Sequence, residues 1–242
     1  MAGPSLTLFE AVAAGTLEPV YVITSEQPLL VDRALAALRD ATVPPALRGF
    51  NHDVIEGKTT GARIVAAAQT LPMMATRRLV VVRDLALVAA ADLAPLTDYL
   101  ASPNPSTVLV LLTSKLDKRI KFYAAASKAG CVHELAPPKN LVPWIRAEAQ
   151  ARGVALASDA VARLAETIGG DLARLALSID QLGLYAGDRP VTGEDVEDLV
   201  ADTRERSIFE LTDALGEGKL ERTLAAVAAL CEQRQSGVGV VV

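Results

Sequence analysis

The sequence predicts an α/β protein: a parallel sheet covered by helices on both faces, followed by a smaller all-helical part. Three observations predict it. Short runs of Val and Leu, typical of strands buried on both faces, alternate with amphipathic stretches through the first 135 or so residues. Pro137 and Pro138 then break the pattern, and everything after them reads as helix. Finally, 51% of the 242 residues are hydrophobic and only 4% aromatic, which excludes a disordered chain and implies a core of Leu, Val and Ala.

The elements follow in order. Val20, Tyr21, Val22 and Ile23 form the first strand, and residues 29–39 a helix with Leu30, Ala34, Ala37 and Leu38 on one face. Val54 and Ile55 mark a short second strand, and 61–69 a helix through Ile64, Val65 and Ala68. Residues 79–82 and 107–112 are the strongest strands. Between them 92–100 reads as a helix capped by Asp92, and after them 118–128 as a helix stopped at Gly130. Residues 131–134 give the last strand. In the helical part, 141–152 stops at Gly153, Ser158 caps a helix carrying Val161, Leu164, Ala165 and Ile168, Asp171 caps one carrying Leu172, Leu175, Ile179 and Leu182, and Thr192 caps one carrying Val196, Leu199 and Val200. Two further helical patterns fill 207–232, and the chain ends in Gly237-Val238-Gly239-Val240-Val241-Val242. The expected units are 1–137, 138–204 and 205–242.

Composition narrows the function. A formal net charge of −5 argues against a protein that lives on duplex DNA, because such binding leans on phosphate neutralisation. Cys131 and Cys231 cannot build a disulfide framework, and neither they nor His52 and His133 have metal-ligand spacing. The N-terminus lacks a basic, apolar leader pattern, and no uninterrupted apolar run approaches 18 residues. The expected compartment is the cytoplasm, with no membrane partner.

A parallel α/β domain with a helical appendage is shared by P-loop ATPases, so the turn after the first strand is the test. Phosphate binding there needs glycines that expose backbone N–H groups, a Lys, and a Ser or Thr for magnesium. The turn reads Thr24-Ser25-Glu26-Gln27-Pro28, with no Gly and no Lys. Pro28 lacks an N–H, and Glu26 sets a carboxylate where phosphate oxygens would lie. After the third strand, Arg83-Asp84 stands where a magnesium-binding acidic pair would be needed, so Asp84 reads as a loop or capping carboxylate. No ATP hydrolysis and no cofactor are expected.

Five segments, in this order and spacing, resemble the delta subunit of the bacterial DNA polymerase III clamp loader. They are Tyr21-Val22-Ile23-Thr24-Ser25-Glu26-Gln27-Pro28-Leu29-Leu30; residues 69–82, from Gln69-Thr70-Leu71-Pro72-Met73-Met74 to Leu79-Val80-Val81-Val82; residues 107–119; Gly169-Gly170-Asp171-Leu172 with Leu182-Gly183-Leu184-Tyr185-Ala186-Gly187; and residues 191–200 with 208–214. The resemblance implies an AAA+-type sheet domain with a degenerate P-loop, a helical lid domain, and an all-α collar domain of which 205–242 would be a shortened beginning. It implies a non-ATPase subunit of a DNA-directed DNA polymerase (nucleotidyltransferase) holoenzyme, with no catalytic residue of its own. Such a subunit binds and opens the sliding clamp for loading onto primed DNA, beside the gamma/tau motor and delta-prime subunits. The family's clamp contact, a Gln followed after three residues by a hydrophobic pair that is commonly Leu-Phe, falls on Gln69, Met73 and Met74, with Leu71 and Pro72 between them.

The residues of that segment support a contact on their own terms. Pro72 disfavours helix and makes Leu71 extended. Adjacent Met side chains cannot both point inward from a regular element, and thioethers suit irregular apolar pockets on a partner. The alternative is that Met73 and Met74 plug the sheet edge. Lys115, Lys118 and Arg119 form a second candidate, a contact for DNA or an acidic surface, against the simpler reading of a solvated helix start. Two other functions compete: an atypical AAA+ ATPase, and a small-molecule enzyme on a doubly wound sheet, the latter disfavoured by the missing Gly-rich turn.

Overall fold

The computed structural model describes residues 4–201. They run α1 (Pro4–Ala13), β1 (Val20–Thr24), α2 (Pro28–Thr42), α3 (Arg48–Asn51), β2 (His52–Ile55), α4 (Gly61–Gln69), β3 (Arg78–Val82), α5 (Ala94–Tyr99), β4 (Thr107–Thr113), α6 (Lys121–Lys128), β5 (Val132–Glu134), α7 (Leu141–Ala151), α8 (Ser158–Ile168), α9 (Leu172–Ala186) and α10 (Gly193–Val196). The contacts divide the chain into Met1–Pro138 and Lys139–Val242. The expected unit 205–242, its helical patterns and Cys231 lie outside the described residues.

In the first unit all five strands are parallel, in the order β2-β3-β4-β1-β5. Every residue of β3 and β4 is buried, as an uninterrupted apolar run requires when both faces are covered. Alternate side chains sort the two faces. Val20, Val22, Val80, Val82, Leu109 and Leu111 pack with Ile64 and Ala68 of α4, Leu96 and Tyr99 of α5, and Phe122 and Ala126 of α6. Leu79 and Val81 point the other way, toward Leu35 and Ala36 of α2. Right-handed crossovers demand this split: β1 runs left to β2 across α2, whereas the later crossovers run right.

Most expected elements stand, with shifts that have local causes. Residues 92–100 do not form one helix capped by Asp92. A 3-10 turn, Ala90–Leu93, precedes α5, and Pro95, which has no N–H to donate, sits in the first turn of the helix. Helix α6 begins at Lys121 rather than residue 118, because the Asp117 carboxylate accepts the Arg119 N–H (2.9 Å) and holds a tight turn there. The described residues also include α1 and α3, which carry too little apolar periodicity to be read from sequence.

The second unit is built from α7 to α10 around Ile145, Val161, Leu164, Leu175, Ile179 and Leu182. Asp171 caps α9 through the Arg174 N–H, and Thr192 forms a reciprocal capping box with Asp195. Arg189 adds two 2.7 Å bonds to the same Asp195 carboxylate and holds it well below the usual carboxylate range. Ser158 is not the cap of α8: Ala157 occupies that position, and the Ser158 hydroxyl accepts from Arg146 at 3.3 Å.

Candidate functional site

The segment between α4 and β3 is an exposed apolar tip on a tied base. Helix α4 begins behind the Thr60 hydroxyl cap and points its small buried face, Gly61, Ile64 and Ala68, at the sheet. It ends at Gln69, where the Thr70 N–H bonds back to Ala67 and the Thr70 hydroxyl donates to Ala66 (3.0 Å). Pro72 keeps the chain out of helix beyond that point. The next side chains stand in solvent: Leu71 is 72% exposed, Met73 57% and Met74 88%, and Gln69 is exposed beside them. The alternative expectation, that Met73 and Met74 plug the sheet edge, is therefore not what the geometry presents.

The backbone beneath this tip is fixed by buried polar groups. Asn51, the last residue of α3, accepts the Met73 N–H at 2.7 Å and donates to the Met73 carbonyl at 2.8 Å. Arg78, the first residue of β3 and 6% exposed, donates to the Leu71 carbonyl (3.3 Å) and pairs with Asp53 of β2. Asn51 and Arg78 meet here because β2 and β3 are parallel with His52 beside Leu79, which brings both strand starts to one edge of the sheet. Neither residue, nor the neighbouring Phe50, exposed at 60%, was singled out from sequence as part of this segment. A lone Asn and a lone Phe carry no local signal, and the link to Met73 exists only through the strand register.

The opposite, C-terminal edge holds the place where a phosphate loop would stand. The cleft there is lined by Thr24, Ser25, Glu26, Lys115, Lys118 and Glu134, among others. Its turn bonds to its own surroundings at Ser25 and Gln27. The Ser25 N–H bonds the Thr113 carbonyl (3.2 Å), the Gln27 N–H bonds the Ser25 hydroxyl (3.0 Å), and that hydroxyl donates to the Leu135 carbonyl at 2.7 Å. Glu26 pairs with Lys115 at 3.0 Å in solvent. Thr113, which could have sensed a phosphate, donates its hydroxyl to the Lys115 carbonyl. Asp84 caps a short 3-10 turn through the Ala86 N–H. What remains is a cleft in which the Ser25 and Gln27 N–H groups are committed and whose side chains carry both signs of charge.

The three candidate cations lie along this same edge. Lys115 has Glu26 as its partner, and Arg119 is held by three side-chain bonds to Asp117, whose carboxyl that guanidinium draws down to about 2. Lys118 is exposed. Lys115 and Arg119 thus each have an acidic neighbour in solvent, and Lys118 stands exposed with them. Cys131 is a packed thiol: 5% exposed, it donates weakly to the Ala126 carbonyl, and burial pushes it up to about 11. Its alkylation by iodoacetamide at neutral pH is expected to be roughly a hundredfold slower than that of free cysteine, because only the thiolate reacts. Peptide mass spectrometry of the labelled chain checks this, and rapid labelling of Cys131 would contradict the burial. His52 is held below the usual imidazole range by burial and the nearby Arg39 and Arg48, and among the described residues no cluster of His, Cys, Asp and Glu could hold a metal. No described helix is long and apolar enough to cross a membrane.

Residues 21–135 match the family described as DNA polymerase III, delta subunit. The DNA polymerase III subunit delta of Bacillus subtilis (strain 168) is 26% identical over 96% of this chain and 71% of its own length. Among solved structures, the DNA clamp loader delta protein of Bacillus subtilis matches with a TM-score of 0.65 and 26% identity, over 95% of this chain and 72% of that one. The RuvB Holliday junction branch migration motor of Thermotoga maritima matches with a TM-score of 0.51 and 17% identity, over 94% of this chain and 79% of that one. The last likeness is one of fold, and with the five-stranded parallel sheet it bears out the AAA+-type architecture read from the sequence.

Proposed function

We propose that this chain, whose residues 21–135 match the DNA polymerase III delta-subunit family, is a clamp-loader subunit that binds the sliding clamp through residues 69–74 and opens one clamp interface, without turning over ATP itself. The observation that carries the reading is the tip: Leu71, Met73 and Met74 project into solvent from a backbone held by Asn51 and Arg78. Apolar side chains that stand out on a rigid base are costly in water and gain that cost back on entering a partner's pocket. Met fits pockets of irregular shape, which suits an anchor that must hold through a change in the partner. Exposed Gln69 would stand at the polar rim of such a contact.

Opening a protein ring requires a ligand that binds the open form better than the closed one. An anchor fixed to a five-stranded sheet can act as such a ligand, since the tip cannot simply follow the clamp back to its closed shape. ATP enters through the neighbouring gamma/tau motor subunits, with delta-prime completing the ring and primed DNA met through the assembly. The bonded Ser25 and Gln27 N–H groups of the β1 turn, with the Glu26 carboxylate between them, support this division of labour.

The test is direct binding of the chain to the sliding clamp of the same organism, with and without the other loader subunits. Saturable binding is expected, strengthened when the motor subunits hold ATP, and failure to bind in both settings overturns the reading. In parallel, millimolar ATP with magnesium is expected to leave the melting temperature of the isolated chain unchanged. A ligand that binds only the folded chain would raise it. A saturable rise would favour the competing reading, an AAA+ ATPase with an unusual phosphate loop.

A further inference from the structure

We propose that Asn51 is the positioning residue of the docking segment: its side-chain amide holds the Met73 backbone so that the chain turns left-handed at Met74 and presents that side chain before any partner arrives. The inference rests on the reading of residues 69–74 as the clamp contact.

Two observations carry it. The first is conformational. Among the described residues Met74 alone, apart from glycines, has a positive φ, at 56°. This region is unfavourable for a side chain like Met, because its Cβ crowds the following carbonyl. Met74 is also 88% exposed, so no packing of its side chain compensates. The hold must come from the backbone next to it.

The second observation is what supplies that hold. Asn51 is completely buried, and its three bonds all go to main chain: Nδ2 donates to the Leu47 carbonyl (3.1 Å) and to the Met73 carbonyl (2.8 Å), while Oδ1 accepts the Met73 N–H (2.7 Å). One amide thus joins the base of α3 to a residue 22 positions later. Arg78 secures Leu71 on the other side of Pro72. Water could satisfy the backbone of an exposed segment, so polar satisfaction alone does not call for a buried amide. What the amide adds is a single conformation. An unfavourable, exposed, apolar residue held by buried contacts is the arrangement expected of a preorganised anchor, since a loose tip would lose affinity in proportion to the time spent elsewhere.

The test combines residue-resolved amide exchange with clamp binding on the full chain. In the wild type, the Met73 amide should be protected although its side chain is exposed; exchange at the rate of a free loop overturns the proposal, whatever any variant does. In Asn51→Ala the Met73 amide should exchange at least tenfold faster and the clamp should bind roughly tenfold more weakly, with the amides of β3 and β4 unchanged. In the Met73→Ala/Met74→Ala background the same Asn51 change should cost nothing further, because its effect passes through the tip. Additive losses, or a freed Met73 amide with undiminished clamp binding, overturn the proposal and leave the docking reading intact. Wild-type binding by Met73→Ala/Met74→Ala overturns the docking reading, and with it this role for Asn51, while the protection of the Met73 amide would still be seen.

Discussion

Met73→Ala/Met74→Ala is expected to bind the sliding clamp roughly a hundredfold more weakly than the wild type and to melt at the same temperature. The size follows from truncating two central anchors, each removing a thioether that would be buried in the complex. The unchanged melting follows from the free chain: side chains 57% and 88% exposed contribute little to its own core. That combination separates a contact from a structural plug, because a plug would lower stability when cut back. Titration calorimetry with the clamp, paired with a thermal melt, reads both quantities. A double variant that binds like wild type would show that the contact lies elsewhere.

The largest expected effect on stability lies at Gly61. A Cβ placed there would overlap the Asp92 carbonyl oxygen and sit 3.5 Å from Pro95 Cδ. The first is a backbone atom in a turn just ahead of α5, and it cannot swing away as a long side chain would. Gly61→Ala must therefore push the start of α4 off that turn, disturbing the packing of Ile64 and Ala68 against Val80, Val82, Leu109 and Leu111. Overpacking of this kind costs about 3 kcal/mol. For a chain of this size that lowers the melting temperature of the sheet unit by roughly 6–12 °C. Because α4 leads straight into the tip, clamp binding should weaken as well, although Gly61 stands at the other end of α4 from the proposed contact. Scanning calorimetry reads the first effect, and a melt that coincides with wild type would mean the α5 turn yields freely.

The fold was legible where burial speaks through composition. Strands β3 and β4 are continuous runs of Val and Leu because both faces are covered, and the missing phosphate loop could be read from five residues. Less was legible where a side chain had two uses. Ser158 looked like a cap by type and position, yet its hydroxyl serves Arg146 and the helix starts one residue earlier than a Ser158 cap requires. Strand β2, an edge strand with no fully buried residue, showed only Val54 and Ile55 of its four positions. The proposed docking segment was visible in Pro72 and the paired Met residues, which are local. Its support was not, because Asn51 reaches Met73 only after β2 and β3 have come into register.

The strand order has a consequence for how the protein is made. Strand β1 emerges first from the ribosome, yet both its neighbours, β4 and β5, are encoded far downstream. About ninety residues separate Val20 from its partner Leu109, a delay of roughly 4–18 seconds at ordinary rates of translation. Throughout that interval Val20, Tyr21, Val22 and Ile23 have no ladder to join, while β2 and β3 can already pair. The nascent chain therefore carries a sticky, unpaired β-segment until synthesis passes β4, and this is the interval in which a holding chaperone or a pause in translation would matter most.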